Sequence, residues 1–359
     1  MGKPADDRSS PFRQRRFSLL GTVLVLIVGA VLAVRVVETE RVVEAVRMAD
    51  IGLLTAAVCV YAVSWPVRGY RYDQVLGVMG RHCGRGFLTA AVFVSQLANL
   101  AVPARAGDGV RAYLLKTRRE VPYTTGAASL TVERLFDLLA LACFGAVAVA
   151  WLLLDGRTLP VGESVPAVLG ASAVAGAALC CSVILVVIAR QDWDVGGRFR
   201  TRADGTALST VVDAAVEFGA DVRVVAADPR AIGRIGAGSL AVWALDVLTA
   251  ILVFRAVTGL LSVPLVVAVG TLAVTVGNLA KVLPLSQGGI GLYEAAFTAV
   301  VVAVSPISAA TALAAAIVDH ALKNVVTVAG GAASALGLNL SLDGISEEPA
   351  QPEPESSKF

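Results

Sequence analysis

The chain has 359 residues, of which 56% are hydrophobic and 16% charged, and its mean hydropathy is +0.74. These values exclude a soluble domain of ordinary composition and indicate an all-α polytopic membrane protein. Nothing supports nucleic-acid binding, and the net charge of +2 says little because membrane proteins sort charge by side of the bilayer. Five scattered cysteines and two distant histidines give no metal-ligand spacing, so we expect no metal and no cofactor.

The N-terminal part of the chain predicts two membrane spans. A basic tail at 1–16, which we expect in the cytoplasm, precedes an apolar run at 17–37 that is long enough to cross about 30 Å of hydrocarbon. A connector of mixed charge, expected to be an external loop, leads to a second span at 51–67. This span ends against a basic cluster expected on the cytoplasmic side: Arg68, Arg71, Arg81 and Arg85.

The next apolar stretch, residues 87–116, is interrupted by the sequence PARAGDGVR. Proline removes a helical N–H and glycine permits reversal of the backbone. We therefore expect three helix-breaking residues: Pro103, Gly107 and Gly109. Charges inside the break are tolerated at membrane depth only where protein or a water-filled cavity surrounds them, so the break is a candidate functional cavity. An ordinary loop between two helices is the alternative.

The charges that follow this break favour a hairpin over a full crossing. Lys116, Arg118 and Arg119 would lie outside the cell if residues 87–116 crossed the membrane once, against the positive-inside rule. A re-entrant hairpin returns them to the side of the preceding arginines. The sequence therefore predicts a broken helical hairpin that opens from the cytoplasm.

The rest of the chain predicts four more spans and two polar segments. The spans are expected at 124–154, 165–189, 235–254 and 307–338, and both chain termini in the cytoplasm. Between the second and third of these, residues 190–234 are expected to form a cytoplasmic amphipathic helix, which either lies on the membrane surface or packs against the protein itself. Residues 339–359 are acidic and rich in Pro and Ser, and we expect disorder there.

A second broken stretch, residues 260–304, repeats features of the first. Its expected breakers are Pro284, Gly288 and Gly291, and both stretches contain the tripeptide Asn-Leu-Ala followed by Pro-x-x-x-Gly. Each half, about 17–154 and 165–338, reads as two spans, a broken hairpin and a third span. Three crossings per half would invert the second half relative to the first, an architecture in which transporters hold substrate near the bilayer midplane. Eight full spans are the alternative.

Twelve ionisable residues lie within or beside the apolar segments, where each unpaired charge costs at least about 2.5 kcal/mol. We therefore expect most of them to pair or to face water. Glu133 and Asp137 share one helical face, as do Asp319 and Lys323, which we interpret as a structural pair. The full set is Arg105, Asp108, Arg111, Glu133, Arg134, Asp137, Asp246, Lys281, Glu294, Asp319, His320 and Lys323.

The first break suits a phosphate group. A helix restarting after Gly107 points free backbone N–H groups into the break, beside Arg105 and Arg111. Glu294, in the first turn of the second restarted helix, is interpreted either as a helix cap or as a proton or headgroup contact. No nucleophile, zinc-protease or phosphate-loop motif is present, so we expect no catalysis, although Glu133 and Asp137 could serve an intramembrane enzyme as acid and base.

Three runs in this order resemble the flippase-like membrane domain, the transmembrane region of bacterial lysylphosphatidylglycerol synthases: PARAGDGVR, ERLFD and LPLSQGGIGLYEAA. The resemblance covers about residues 17–338. It implies movement of lipids or lipid-linked headgroups between leaflets of the cell membrane. The headgroup site that it implies consists of Arg105, Asp108, Arg111, Glu133, Arg134, Asp137 and Glu294.

Two departures from the family pattern change what we expect. No soluble synthetase domain follows the last span, so aminoacylation of lipid is not expected. The last span also offers Asp319, His320 and Lys323 where the resemblance implies an arginine, and with Asp246 and Lys281 these are secondary candidates for the site. The expected partner is a membrane lipid or lipid-linked substrate. The alternatives are an enzyme that modifies a lipid headgroup and a non-catalytic partner of a cell-envelope synthase.

Overall fold

A computed structural model describes residues 39–102, 107–154, 209–259, 262–282 and 286–340, and every regular element in these ranges is helical. The helices are α1 (Thr39–Arg47), α2 (Ile51–Val78), α3 (Arg85–Ala101), α4 (Gly107–Arg119), α5 (Tyr123–Leu154), α6 (Ser209–Ala227), α7 (Pro229–Thr258), α8 (Val263–Ala280), α9 (Leu292–Val304) and α10 (Ala309–Gly337). A short 3₁₀ turn, Gln287–Gly289, precedes α9. The all-α prediction is confirmed.

Six apolar stretches of the described chain are long enough to cross a membrane: α2, α5, α7, α8, residues 287–304 and α10. The chain is therefore a multi-pass membrane protein. Four of these stretches confirm predicted spans, and the other two are the arms of the predicted second hairpin. The spans predicted at 17–37 and 165–189, the basic tail at 1–16 and nearly all of the acidic tail lie outside the described residues.

Several long helices begin at residues that favour helix initiation. Asp50 caps α2 by accepting the backbone N–H of Leu53 at 3.0 Å, and Ser308 caps α10 by accepting that of Thr311 at 3.2 Å. Pro229 occupies the first position of α7, where its missing N–H costs nothing. These local signals place the starts of the long helices from which the charged side chains project.

Two boundaries differ from the sequence prediction. The second span does not end at residue 67 but continues to Val78, because Arg68 and Arg71 find partners inside the bundle and are not flanking charges. The connector expected to be an external loop contains α1, which packs against α10. Within the predicted amphipathic segment, α6 packs against α5 and buries Val225 and Ala226, in agreement with packing against the protein itself.

The two halves pack against each other reciprocally. Helix α2 lies antiparallel to its counterpart α7, since the N–H of Asp50 donates to the carbonyl of Ala256 while Arg71, near the other end, contacts Ser239. The first arm of each hairpin packs on the last helix of the other half, α3 on α10 and α8 on α5. This arrangement is the one that two inverted repeats produce.

The two hairpins begin at opposite ends of the α2–α7 pair, because α3 follows the end of α2 and α8 follows the end of α7. The first hairpin, α3–α4, returns to its starting point, where Arg119 Nε donates to the carbonyl of Cys83 at 3.1 Å. How deeply each hairpin enters a bilayer stays a prediction.

Candidate functional site

The two broken hairpins meet inside the bundle. Gly288 has a φ of 62°, and a Cβ built on it would lie 2.9 Å from Cδ2 of Leu100, in the last turn of α3. Gly107 starts α4 so close to α3 that a Cβ would lie 2.4 Å from the carbonyl oxygen of Ser95. Both positions therefore require glycine, as predicted for helix-breaking residues.

The other predicted breakers have different outcomes. Gly291 has a φ of 85° and is the N-cap residue of α9, so the second helix begins directly after it. Gly109 lies inside the first turn of α4 and does not break the helix. Pro103, Arg105 and Pro284 lie outside the described residues, so their expected roles stay predictions.

A buried network of alternating charges, which we call the first-half cluster, lies beside the first hairpin. Its members are Arg71, Asp108, Arg111, Glu133, Arg134 and Asp137. Arg71 on α2 bridges the two carboxylates of α5, at 2.8 Å to Glu133 and in close contact with Asp137. Arg111 on α4 donates to the other oxygen of Glu133 at 2.6 Å. The predicted common face of Glu133 and Asp137 is confirmed, and arginines from two other helices occupy it.

The first-half cluster has a closed side and an open side. The side chains of Arg71 and Arg111 are 1% and 0% exposed, whereas those of Arg134 and Asp108 are 28% and 18% exposed. Arg134 donates to both oxygens of Asp108, at 3.1 and 3.2 Å, and Asp108 also accepts from Asn99 at 3.3 Å. A ligand arriving from outside the network would therefore meet the Arg134–Asp108 pair first.

A second network, the second-half cluster, lies beside the second hairpin. Its members are Arg68, Asp246, Lys281, Tyr293, Glu294, Asp319, His320 and Lys323. Lys323 donates to Asp246 and to Asp319, both at 3.0 Å. The predicted Asp319–Lys323 pair is therefore present, with Asp246 on α7 as an additional partner. Tyr293 donates its hydroxyl proton to Asp319 at 2.5 Å.

Glu294 belongs to the second-half cluster rather than to a common site with Arg111. Its carboxylate accepts the N–H of Gly291 at 2.7 Å, which is the helix-capping role, and also contacts Nδ1 of His320 at 2.6 Å. Arg111 is held instead by Glu133 in the other half, so a single headgroup site that includes Glu294 stays a prediction.

The two clusters are joined across the α2–α7 interface. Arg68 on α2 lies 4.0 Å from Asp246 on α7, and three residues later Arg71 donates to Ser239 at 3.0 Å. Trp243 donates its indole N–H to Asp137 at 2.9 Å. A displacement of α2 relative to α7 would therefore disturb the partners of both clusters.

Sequence reasoning missed Arg68 and Arg71 because both were assigned to the flank of a shorter helix. The helix passes through Pro66, Gly69 and Gly77 without a break, so isolated helix-breaking residues do not end it. Closely spaced glycines follow at Gly80 and Gly84. Their distance from residue 67 is the sequence feature that indicates a longer helix carrying both arginines. No group of three His, Cys, Asp or Glu side chains in the described ranges could hold a metal ion.

Comparison with known proteins gives one family match and one similar protein. Residues 18–331 match the family described as the lysylphosphatidylglycerol synthase TM region. The chain belongs to this family. It is also 41% identical over 355 residues to a protein of Haloferax volcanii named glycosyltransferase AglD. That match covers 94% of this chain and 57% of AglD, so the chain spans little more than half the length of this relative.

Proposed function

We propose that the protein moves a phospholipid or a lipid-linked headgroup between the leaflets of the cell membrane, with both termini in the cytoplasm. The observation that carries the proposal is the Arg134–Asp108 pair, a partly exposed guanidinium on α5 and a carboxylate in the first turn of α4. Buried ion pairs add little stability compared with apolar packing. A six-membered charged network inside a membrane bundle is therefore better explained by function than by stability.

The headgroup phosphate would bind by replacing Asp108. The carboxylate of Asp108 accepts from Arg134, Arg111 and Asn99, and the oxygens of a phosphate accept the same kinds of hydrogen bond. A planar guanidinium recognises a phosphate with two parallel hydrogen bonds, which a lysine cannot provide. The acyl or prenyl chains would stay in the surrounding lipid while the headgroup enters the polar network.

The comparisons support a role in handling lipids. The family is named for a synthase of lysylphosphatidylglycerol, a phospholipid, and the relative AglD is named a glycosyltransferase. The two names describe different transferred groups, whereas the membrane region is what this chain shares with both. A region common to two such transferases fits a task that both need, such as presenting or relocating a lipid in the membrane.

The proposal is tested by leaflet exchange in vesicles. Purified protein is reconstituted with a fluorescent phosphatidylglycerol, and the fraction of label reached by a membrane-impermeant quencher is followed with time. We expect wild-type protein to accelerate exchange over protein-free vesicles and Arg134→Gln to slow it about tenfold, the loss expected from one charged contact of about 1.4 kcal/mol.

Arg85→Gln is the matched control for that experiment. Arg85 pairs with Asp73 outside both clusters and its side chain is 65% exposed, so this variant should exchange lipid like wild type. Equal exchange for protein-free, wild-type and Arg134→Gln vesicles would refute the proposal.

A second candidate is a non-catalytic partner of a cell-envelope synthase. The name of the relative AglD, a glycosyltransferase, favours it, because a transferase could act together with the membrane domain described here. Stoichiometric co-purification of a transferase, together with unchanged lipid exchange in Arg134→Gln, would favour this candidate. An enzyme that uses Glu133 and Asp137 has weaker support, because arginines occupy both carboxylates.

A further inference from the structure

The last helix of each half carries its charged residues at the same positions. Counted from the start of α5 and of α10, the eleventh, twelfth and fifteenth residues are Glu133, Arg134 and Asp137 in the first half. In the second half they are Asp319, His320 and Lys323. Arg68 and Asp246 are likewise the eighteenth residues of α2 and α7. The charged positions of α10 in the second-half cluster are therefore the counterparts of those of α5 in the first-half cluster.

The equivalence extends to one specific contact. In each half, an acidic residue in the first turn of the second hairpin arm bonds to the twelfth residue of the following long helix. Asp108 bonds to Arg134 at 3.1 Å, and Glu294 bonds to His320 at 2.6 Å. Because the phosphate is proposed to replace Asp108 at Arg134, the matching exchange in the second half would replace Glu294 at His320.

Donors without partners surround this second position. His320 is 2% exposed, and its Nε2 has no hydrogen-bond partner among the described residues. The ammonium of Lys281 lies 4.1 Å from the ring centroid of Tyr293 and forms no ion pair in the described ranges. The ring centroid of His320 lies 4.9 Å from that same ring. The 3₁₀ turn before α9 lies against Lys281, because a Cβ built on Gly289 would be 2.5 Å from Cγ of Lys281.

We propose that Lys281, His320 and the N-terminus of α9 form a second phosphate-binding site, which a lipid headgroup occupies when the carboxylate of Glu294 moves away. The inference rests on the proposed function and adds one headgroup position per repeat. The hairpins begin at opposite ends of the bundle, so the two sites would serve opposite leaflets. A phosphate there would accept hydrogen bonds from the Lys281 ammonium, His320 and the free N–H groups of α9.

The second site depends on pH, whereas the first does not. Arg134 is always charged, but a histidine side chain is charged only when protonated. Protonated His320 donates from both ring nitrogens, so phosphate binds more tightly at pH 6 than at pH 8. Charged and titratable groups lie on each element around His320. Its own helix carries Asp319 and Lys323, α9 carries Tyr293 and Glu294, and Lys281 follows α8. The other helices contribute Asp246 on α7, Arg68 on α2, and Glu40, Glu44 and Arg47 on α1.

Binding stoichiometry tests the proposal. The full chain in detergent is titrated at pH 6 and pH 8 with dihexanoyl phosphatidylglycerol, with inorganic phosphate, and with dihexanoylglycerol, which lacks phosphate. We expect two lipid sites per chain at pH 6, and about tenfold weaker binding at one of them at pH 8. Tighter binding of the phospholipid than of inorganic phosphate identifies a lipid headgroup as the ligand, whereas equal binding would overturn that assignment.

Variants separate the two sites. Lys281→Gln should remove the pH-dependent site and leave the other, and Arg134→Gln should do the reverse. Lys281→Gln leaves no carboxylate without a partner, so the protein should still fold, and thermal melting checks this. His320→Arg imitates Arg134 and should make binding at the second site equal at both pH values.

One phosphate site per chain, removed by Arg134→Gln and unchanged in Lys281→Gln and His320→Gln, would overturn this inference. Normal lipid exchange in vesicles would then leave the proposed function intact. Conversely, two sites in the titration without any acceleration of lipid exchange would overturn the proposed function alone.

Discussion

The two halves of the chain use the same helix positions for networks of different chemistry. In the first half, three arginines hold three carboxylates, and Arg71 at the centre is 1% exposed. In the second half, His320 takes the position of Arg134 on the last helix and Lys323 takes that of Asp137, while Asp246 on α7 takes the position of Arg68 on α2. The two halves thus carry ionisable residues at matching positions, but the sign of the charge differs at two of them, Asp137 against Lys323 and Arg68 against Asp246.

The largest expected effect comes from removing the centre of the first-half cluster. Arg71→Gln leaves the buried carboxylates of Glu133 and Asp137 without their shared partner. A buried ion pair that loses one member costs about 3–5 kcal/mol. We therefore expect a marked fall in melting temperature in detergent, measured by size-exclusion chromatography after heating, while Arg85→Gln melts like wild type. An unchanged melting temperature in Arg71→Gln would show that the ion pairs of Arg71 with Glu133 and Asp137 do not stabilise the fold.

A somewhat smaller effect is expected at the centre of the second-half cluster. Lys323→Met removes the cation shared by Asp319 and Asp246, whereas Asp319 keeps the hydroxyl of Tyr293 and Asp246 keeps Asn278 at 3.2 Å and Arg68 at 4.0 Å. We expect a loss of about 3 kcal/mol, measured by chemical unfolding. Adding Asp319→Asn should recover part of this loss, because the double variant no longer buries a carboxylate beside a missing cation. If the losses of Lys323→Met and Asp319→Asn simply added in the double variant, the two residues would not be energetically coupled.

The tyrosine of the second-half cluster has an intermediate effect. Tyr293→Phe removes the hydrogen bond to Asp319 but keeps the ring against Lys281 and His320. We expect a loss of about 2 kcal/mol in the same unfolding measurement, the usual contribution of a hydrogen bond to a charged group. No change in the free energy of unfolding would show that Lys323 alone satisfies Asp319.

The smallest effect on stability is expected at the open side of the first-half cluster. The side chain of Arg134 is 28% exposed, so Arg134→Gln should cost less than about 1 kcal/mol. The same variant is expected to slow lipid exchange about tenfold, the equivalent of about 1.4 kcal/mol. A large loss of stability in Arg134→Gln would show that Arg134 stabilises the fold rather than serving mainly to bind the ligand.

Sequence patterns could predict the all-α fold, four spans within the described residues, the restart of the second helix after Gly291 and most residues of both networks. Apolar run lengths and helix-breaking residues determine these features locally, as Gly288 and Gly291 illustrate. Partners across the bundle could not be predicted, because they depend on which helices pack together. The sequence grouped Glu294 with Arg111 and Glu133 in one expected headgroup site without showing which of them pair; in the structure α9 packs against α10 and places Glu294 beside His320. Arg71 was missed because an arginine after an apolar run has the same local pattern whether it flanks a membrane or faces a buried carboxylate.

The most direct test of the central claim is to locate the headgroup by cross-linking. A phosphatidylglycerol with a photoreactive group on its headgroup is incorporated with the protein into vesicles, and after irradiation the modified peptides are identified by mass spectrometry. The account predicts cross-links in the first hairpin, residues 85–119, and in the second, residues 262–304, with those in the first reduced in Arg134→Gln. Cross-links confined to exposed residues such as Trp151 and Leu154 at the end of α5, and equal in both proteins, would contradict a headgroup site inside the bundle.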